Sequence, residues 1–104
     1  MFAPTTKAHC QDAVFAEMSE ACKTNPPFSS LHEGWAVMKE EFEEAQDELE
    51  KVNLYMGVLW KEIKADTVSP TEVLEIRHRA INAMMESAQL AAMATKMLAY
   101  MGEL

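Results

Sequence analysis

The sequence predicts an all-α protein, a helical bundle completed by homo-oligomerisation. Three observations lead there. Glycine and proline are confined to a few punctuating positions. Apolar residues recur at steps of three and four, with no strand-like alternation or Asn-Gly hairpin signal. The last third of the chain is apolar on almost every side, which one chain of 104 residues has too few helices to cover. The chain reads as a single domain over residues 1–104, forming a homodimer or homotetramer.

The first helix is expected over residues 5–23. It ends at "TNPPFSS", residues 24–30, where two prolines follow an asparagine. The second is expected over 31–65. Ser30 precedes it and Glu33 follows three residues later, so the serine can accept a backbone hydrogen bond while the glutamate reaches back. Leu31, Trp35, Met38, Phe42, Ala45, Leu49, Val52, Met56, Leu59 and Ile63 then draw one apolar seam along about nine turns. Gly57 is the one weak point, a place for a bend. The third helix, over 70–101, follows "DTVSP", with Ser69 as cap, Pro70 at the first helical position and Glu72 three residues after the serine.

Polar residues are informative where the third helix is otherwise apolar. Asn82, Glu86, Gln89 and Lys96 lie at spacings of four, three and seven, on one stripe, with Arg79 a turn earlier. A glutamate in such surroundings costs several kcal/mol unless it is paired, hydrogen-bonded or bound to a cation. The second helix supplies a facing half. Residues 40–50 hold seven carboxylates, of which Glu41, Glu44 and Glu48 share a side, whereas Glu43 and Glu50 point away. If the two helices pack antiparallel, Glu41 and Glu44 meet Glu86 and Gln89. Converging carboxylates repel, and a hard divalent cation with a preference for oxygen ligands relieves the repulsion; Mg²⁺ is the simplest choice and Mn²⁺ the next.

Composition narrows the partners. Nine basic against seventeen acidic side chains give a formal charge of −8, which repels nucleic-acid phosphates and anionic lipid. No stretch approaches the roughly 18 apolar residues that span a bilayer, and no signal-like segment opens the chain, so a cytoplasmic protein without membrane or nucleic-acid partners is expected. Cys10 and Cys22 have no metal-binding or redox spacing, and His9, His32 and His78 share none, which argues against zinc.

"KEEFEEAQDEL" resembles the Glu-Glu-x-x-Glu helix of the MazG-like all-α nucleotide pyrophosphohydrolases, and "MMESAQLAAM" resembles their second metal-binding helix. The phrasing over residues 31–101 is closest to the short members found in phages and mobile elements; residues 5–23 carry no motif. The resemblance implies a Mg²⁺-dependent hydrolase that cleaves a nucleoside triphosphate, (d)NTP, to the monophosphate and pyrophosphate, a nucleotide-pool house-cleaning activity. It also implies metal ligation by Glu41, Glu44 and Glu86, with Glu40 adjacent, and a catalytic part for Glu41 and Glu44. The family's final aspartate falls on Gln89, whose neutral carbonyl is a weaker ligand, and the stretch between the half-motifs is longer than usual in the family. Family practice places His32, Trp35 and Trp60 near the base, although Trp35 lies on the seam and also reads as a core residue. Lys61, Lys96 and Asn82 are candidates on the phosphate and metal side. The competing readings are a catalytically degenerate nucleotide-binding module and a helical adaptor that docks a partner through its seam.

Overall fold

The computed structural model describes all 104 residues, in three helices: α1 over Pro4–Thr24, α2 over Leu31–Ala65 and α3 over Pro70–Tyr100. All three coincide with the expected segments to within a residue, because each boundary is written in local chemistry. Pro4 occupies the first turn of α1. Ser30 caps α2, its hydroxyl accepting from the Glu33 N–H at 3.0 Å. The Glu33 carboxylate does not complete the reciprocal box; it accepts from the Ser29 hydroxyl instead. At Ser69 the side chain makes no capping bond, so Pro70 alone marks the start of α3.

α2 continues without interruption through Gly57. It stops at Asp66, which takes the left-handed conformation at φ 56°, a tolerable state for a short polar side chain. The Thr67 N–H then donates back to the Glu62 carbonyl at 2.9 Å, closing the last turn. This tight connection folds α3 back antiparallel on α2. Residue pairs along the hairpin record the direction: Glu62 beside Glu72 near the turn, Glu48 on Arg79, and Gly34 against Met97 at the far end.

α3 is the central element. It packs on α2 along its length and on α1, whereas the backbones of α1 and α2 make no close approach. The apolar all-round character of α3 is explained where both neighbours flank it, from Ala88 to Met97, and there its burial is greatest. Towards its start, Leu74, Ile81, Met84 and Met85 stay open to solvent.

The face that α2 turns towards α3 differs from the apolar seam read from the sequence. Gly34, Met38, Glu41, Ala45, Glu48, Val52, Tyr55, Leu59 and Glu62, again at steps of three and four, are with Val37 the buried or half-buried positions. Met38, Ala45, Val52 and Leu59 belong to both sets. Trp35, Phe42, Leu49, Met56 and Ile63 do not, and lie exposed on the outer flank. A run of alternating threes and fours has two sides, and α3 took the side lined by small residues and glutamates. Ala45 on α2 and Ala83 and Ala92 on α3 are buried there, so short side chains let the two helices approach closely.

The molecule is long and thinly cored, 56 × 31 × 22 Å with a radius of gyration of 17.5 Å, against about 13 Å for a compact chain of this length. Only one large apolar side chain is buried, Phe28 in the α1–α2 link, at 5% exposure. It sits against Gly34, where a Cβ would meet the Phe28 ring at 3.2 Å and overlap the Met97 sulfur. The Tyr100 hydroxyl donates to the Ser29 carbonyl at 3.5 Å, tying the end of α3 to the same link.

Candidate metal centre and adjoining pocket

The helical hairpin lines its inner seam with carboxylates, and their partners separate them into groups. Glu48 and Glu75 are neutralised by Arg79, whose guanidinium lies 3.6 Å from each; Lys51 adds a second contact to Glu48 at 3.6 Å. Glu41, Glu44 and Glu86 have no such cation. One carboxylate oxygen from each of the three falls within 4.8 Å of the other two, with Glu41 and Glu86 half-buried and Glu44 exposed. Glu41 Oε2 and Glu86 Oε2 are sealed from solvent and accept no hydrogen bond.

Such an arrangement stores repulsion, and the carboxyl groups show it. Glu41 is pushed above the ordinary carboxylate range by desolvation first, and then by the charges of Glu44, Glu86 and Glu40. Glu86 is pushed up chiefly by a side-chain hydrogen bond with Glu44, which needs a shared proton, and further by desolvation and by the charges of Glu44 and Glu48. Glu62 and Glu72 form a second carboxyl pair near the α2–α3 turn. A hydrogen bond from Glu72 is the main cause that raises Glu62.

The sign of the pH effect follows. An acid whose folded-state pKa is raised keeps its proton where the unfolded chain has already lost it. Its stabilising contribution is complete below the unfolded value of about 4.3 and disappears as pH rises through the folded value. In cation-free buffer the melting temperature should therefore fall from the ordinary carboxylate range towards neutral pH, and Glu41→Gln or added Mg²⁺ should flatten that fall. Thermal denaturation at a series of pH values checks it.

Next to the cluster lies an open cavity of about 390 Å³, lined in part by Glu41, Gln89, Lys96, Phe28, Val37 and Met93. Lys96 is its unusual wall. The residue is only 7% exposed, makes no ion pair or hydrogen bond, and sets its ammonium 4.5 Å from the centre of the Phe28 ring. A cation–π contact at this range offsets only part of the cost of burying a charge. α1 and the link complete the cavity with Glu17, Ala21, Asn25 and Pro26.

The other residues singled out in the sequence distribute as follows. Gln89 is exposed and lines the cavity together with Glu41. Glu40 is exposed and acts on Glu41 only through its charge. Asn82 is half-buried, its amide 3.5 Å from His78 Nε2. His32 and Lys61 are exposed. Trp35 and Trp60, both largely exposed, lie 25 residues apart on one continuous helix, about 37 Å, so a single copy does not bring them together. Lys64 lies over the Trp60 ring at 5.7 Å.

Phe28 is the participant that the periodicity reading passed over. Its signal was the sole aromatic in a short link between helices, directly after two prolines. No family model, curated protein or solved structure matches the chain.

Proposed function

We propose that the chain is a Mg²⁺-dependent nucleoside triphosphate pyrophosphohydrolase, and that the cleaved triphosphate lies between the Glu41–Glu44–Glu86 cluster and Lys96. The observation that carries this reading is the adjacency itself: three converging carboxylates without a cation, beside a cavity that contains a buried lysine without an anion. Each half has the charge the other kind of ligand supplies.

The donor set suits a hard divalent ion. All three side chains offer carboxylate oxygen, and the sealed, unbonded oxygens of Glu41 and Glu86 are the atoms such an ion satisfies. Glu41, Glu44 and Glu86 hold Mg²⁺, or Mn²⁺ in its place. When bound, the ion withdraws charge from phosphate oxygens and favours attack at phosphorus. Lys96 neutralises a phosphate oxygen at the other end of the cavity as a point charge. Glu44, the most solvent-accessible of the three, accepts the proton of the attacking water. Phe28, Val37 and Met93 supply an apolar wall for the nucleoside, and the Gln89 amide can donate to a phosphate oxygen.

A pyrophosphate-release assay over the common deoxynucleoside triphosphates tests the reading. Mg²⁺-dependent release from at least one of them is expected, with a loss of about 100-fold or more on Glu44→Gln or Lys96→Met. Gln89→Asp separates two roles for that residue: a gain in rate identifies a lost ligand, and a fall identifies a working amide. A catalytically degenerate nucleotide-binding module is the second reading. The neutral amide of Gln89, on the cavity wall beside Glu41 and one turn beyond Glu86, favours it, because it brings no fourth carboxylate to the cation. If neither the natural sequence nor Gln89→Asp releases pyrophosphate while both bind Mg²⁺, the module reading replaces the enzyme.

A further inference from the structure

Along the outer flank of α2, Trp35, Phe42, Leu49, Met56 and Ile63 recur every seven residues and are each between 39% and 62% exposed. With Met38, Ala45, Val52 and Leu59 they complete a heptad pattern sustained over four repeats, a stripe about 42 Å long. The inner line of that pattern is used against α3. The outer line has no cover in the chain: its residues are exposed, and α1 packs on α3 with no close backbone approach to α2.

We propose that a second copy of the chain lies antiparallel along this outer face of α2, related by a two-fold axis near Leu49. Area identifies the kind of occupant. A compact protein of 11.7 kDa exposes about 5,900 Å², whereas this chain exposes 7526 Å². The excess of roughly 1,600 Å², spread over an elongated molecule, is larger than the 800 Å² or so that each partner gives to a standard interface, so the chain has surface enough for a second copy along this face. A long apolar stripe of this kind is self-complementary under a two-fold axis, since the same patch serves both copies.

Charge selects the direction. Residues 31–50 of α2 carry eight carboxylates against one lysine, and residues 51–65 carry three lysines against one glutamate. A parallel pair sets the two acidic halves side by side. An antiparallel pair sets each acidic half against the basic half of the other copy. In that arrangement Phe42 of one copy faces Met56 of the other, Leu49 faces itself, and Trp35 comes to the end that holds Trp60 and Ile63. The two tryptophans that a single copy keeps apart meet at each end of the seam.

Light scattering at micromolar concentration should give about twice 11.7 kDa. Leu49→Glu and Leu49→Lys should each give a helical monomer, because the charge meets its own copy at the axis, and an equimolar mixture of the two should pair again. Rescue by mixing distinguishes a lost interface from a misfolded chain. For direction, Phe42→Cys and Met56→Cys are made separately in a background with Cys10→Ser and Cys22→Ser, and then mixed under oxidation. Disulfides between positions 42 and 56 should dominate. A monomer at all concentrations, a dimer indifferent to both Leu49 variants, or a predominance of 42–42 disulfides overturns the proposal.

Discussion

Alanine at Glu41 or Glu86 should weaken Mg²⁺ binding by at least about tenfold, or 1.4 kcal/mol, and raise the melting temperature in cation-free buffer. The two effects have one origin. Three carboxylates held within 4.8 Å are mutually repulsive until a cation joins them, so each is a ligand with Mg²⁺ present and a liability without it. Glu41→Ala removes the desolvated carboxylate itself, and Glu86→Ala removes one of the charges that repel it. Solvent screening limits the gain to at most about 1 kcal/mol, or roughly 4–8 °C in a domain of this size. Glu43→Ala and Glu50→Ala are the comparison, since both side chains are exposed and outside the cluster. Calorimetric titration with Mg²⁺ and thermal melts in chelator measure the pair of effects. Equal losses at Glu41, Glu43, Glu50 and Glu86 would show diffuse attraction by a chain of charge −8 and no site.

Phe28→Ala should be the most destabilising single change, with a loss of about 3–5 kcal/mol against a total of about 5–15 for an average domain of this length. No other large apolar side chain is as buried, and this one holds together elements that are distant in sequence. Its ring carries the Lys96 ammonium, abuts Gly34 at the start of α2, and anchors the link from which α1 departs. Urea denaturation should show the loss. Limited proteolysis of the variant should cut first between residues 24 and 30. Lys96→Met makes an instructive contrast, because it removes a buried charge while keeping most of the volume. It should leave stability unchanged or raised and abolish the affinity of the cavity for anions.

The helices were legible because their signals are local. Proline at 70, the Ser30 cap and the Asn-Pro-Pro break act within one or two turns, and the boundaries they imply match to a residue. The acidic residues were legible as one-sided for the same reason, from spacings of three and four on a single helix. The convergence of Glu41 and Glu44 with Glu86 was legible too, given an antiparallel hairpin, but the neutralisation of Glu48 was not. Arg79 lies 31 residues beyond Glu48 in the chain, and only the antiparallel register brings it there and leaves Glu41, Glu44 and Glu86 without a cation. Lys96 was recognisable as an unusual polar residue in an apolar helix, but its cation–π contact required a link residue 68 positions away.

By itself the sequence determined three helices, their limits, the acidic side of α2 and the presence of a long apolar heptad line. Tertiary structure decided which side of that line meets α3, that α1 packs on α3, and which carboxylates are left without a counterion. The physical reason is that helix formation and capping depend on neighbours a few residues apart, whereas the choice between two adjacent faces of one helix depends on what the partner presents. α3 presented small residues, Arg79, Glu72, Glu75 and Glu86; close approach over its alanines set the side lined by small residues and glutamates against it and left the largest apolar side chains of α2 outside.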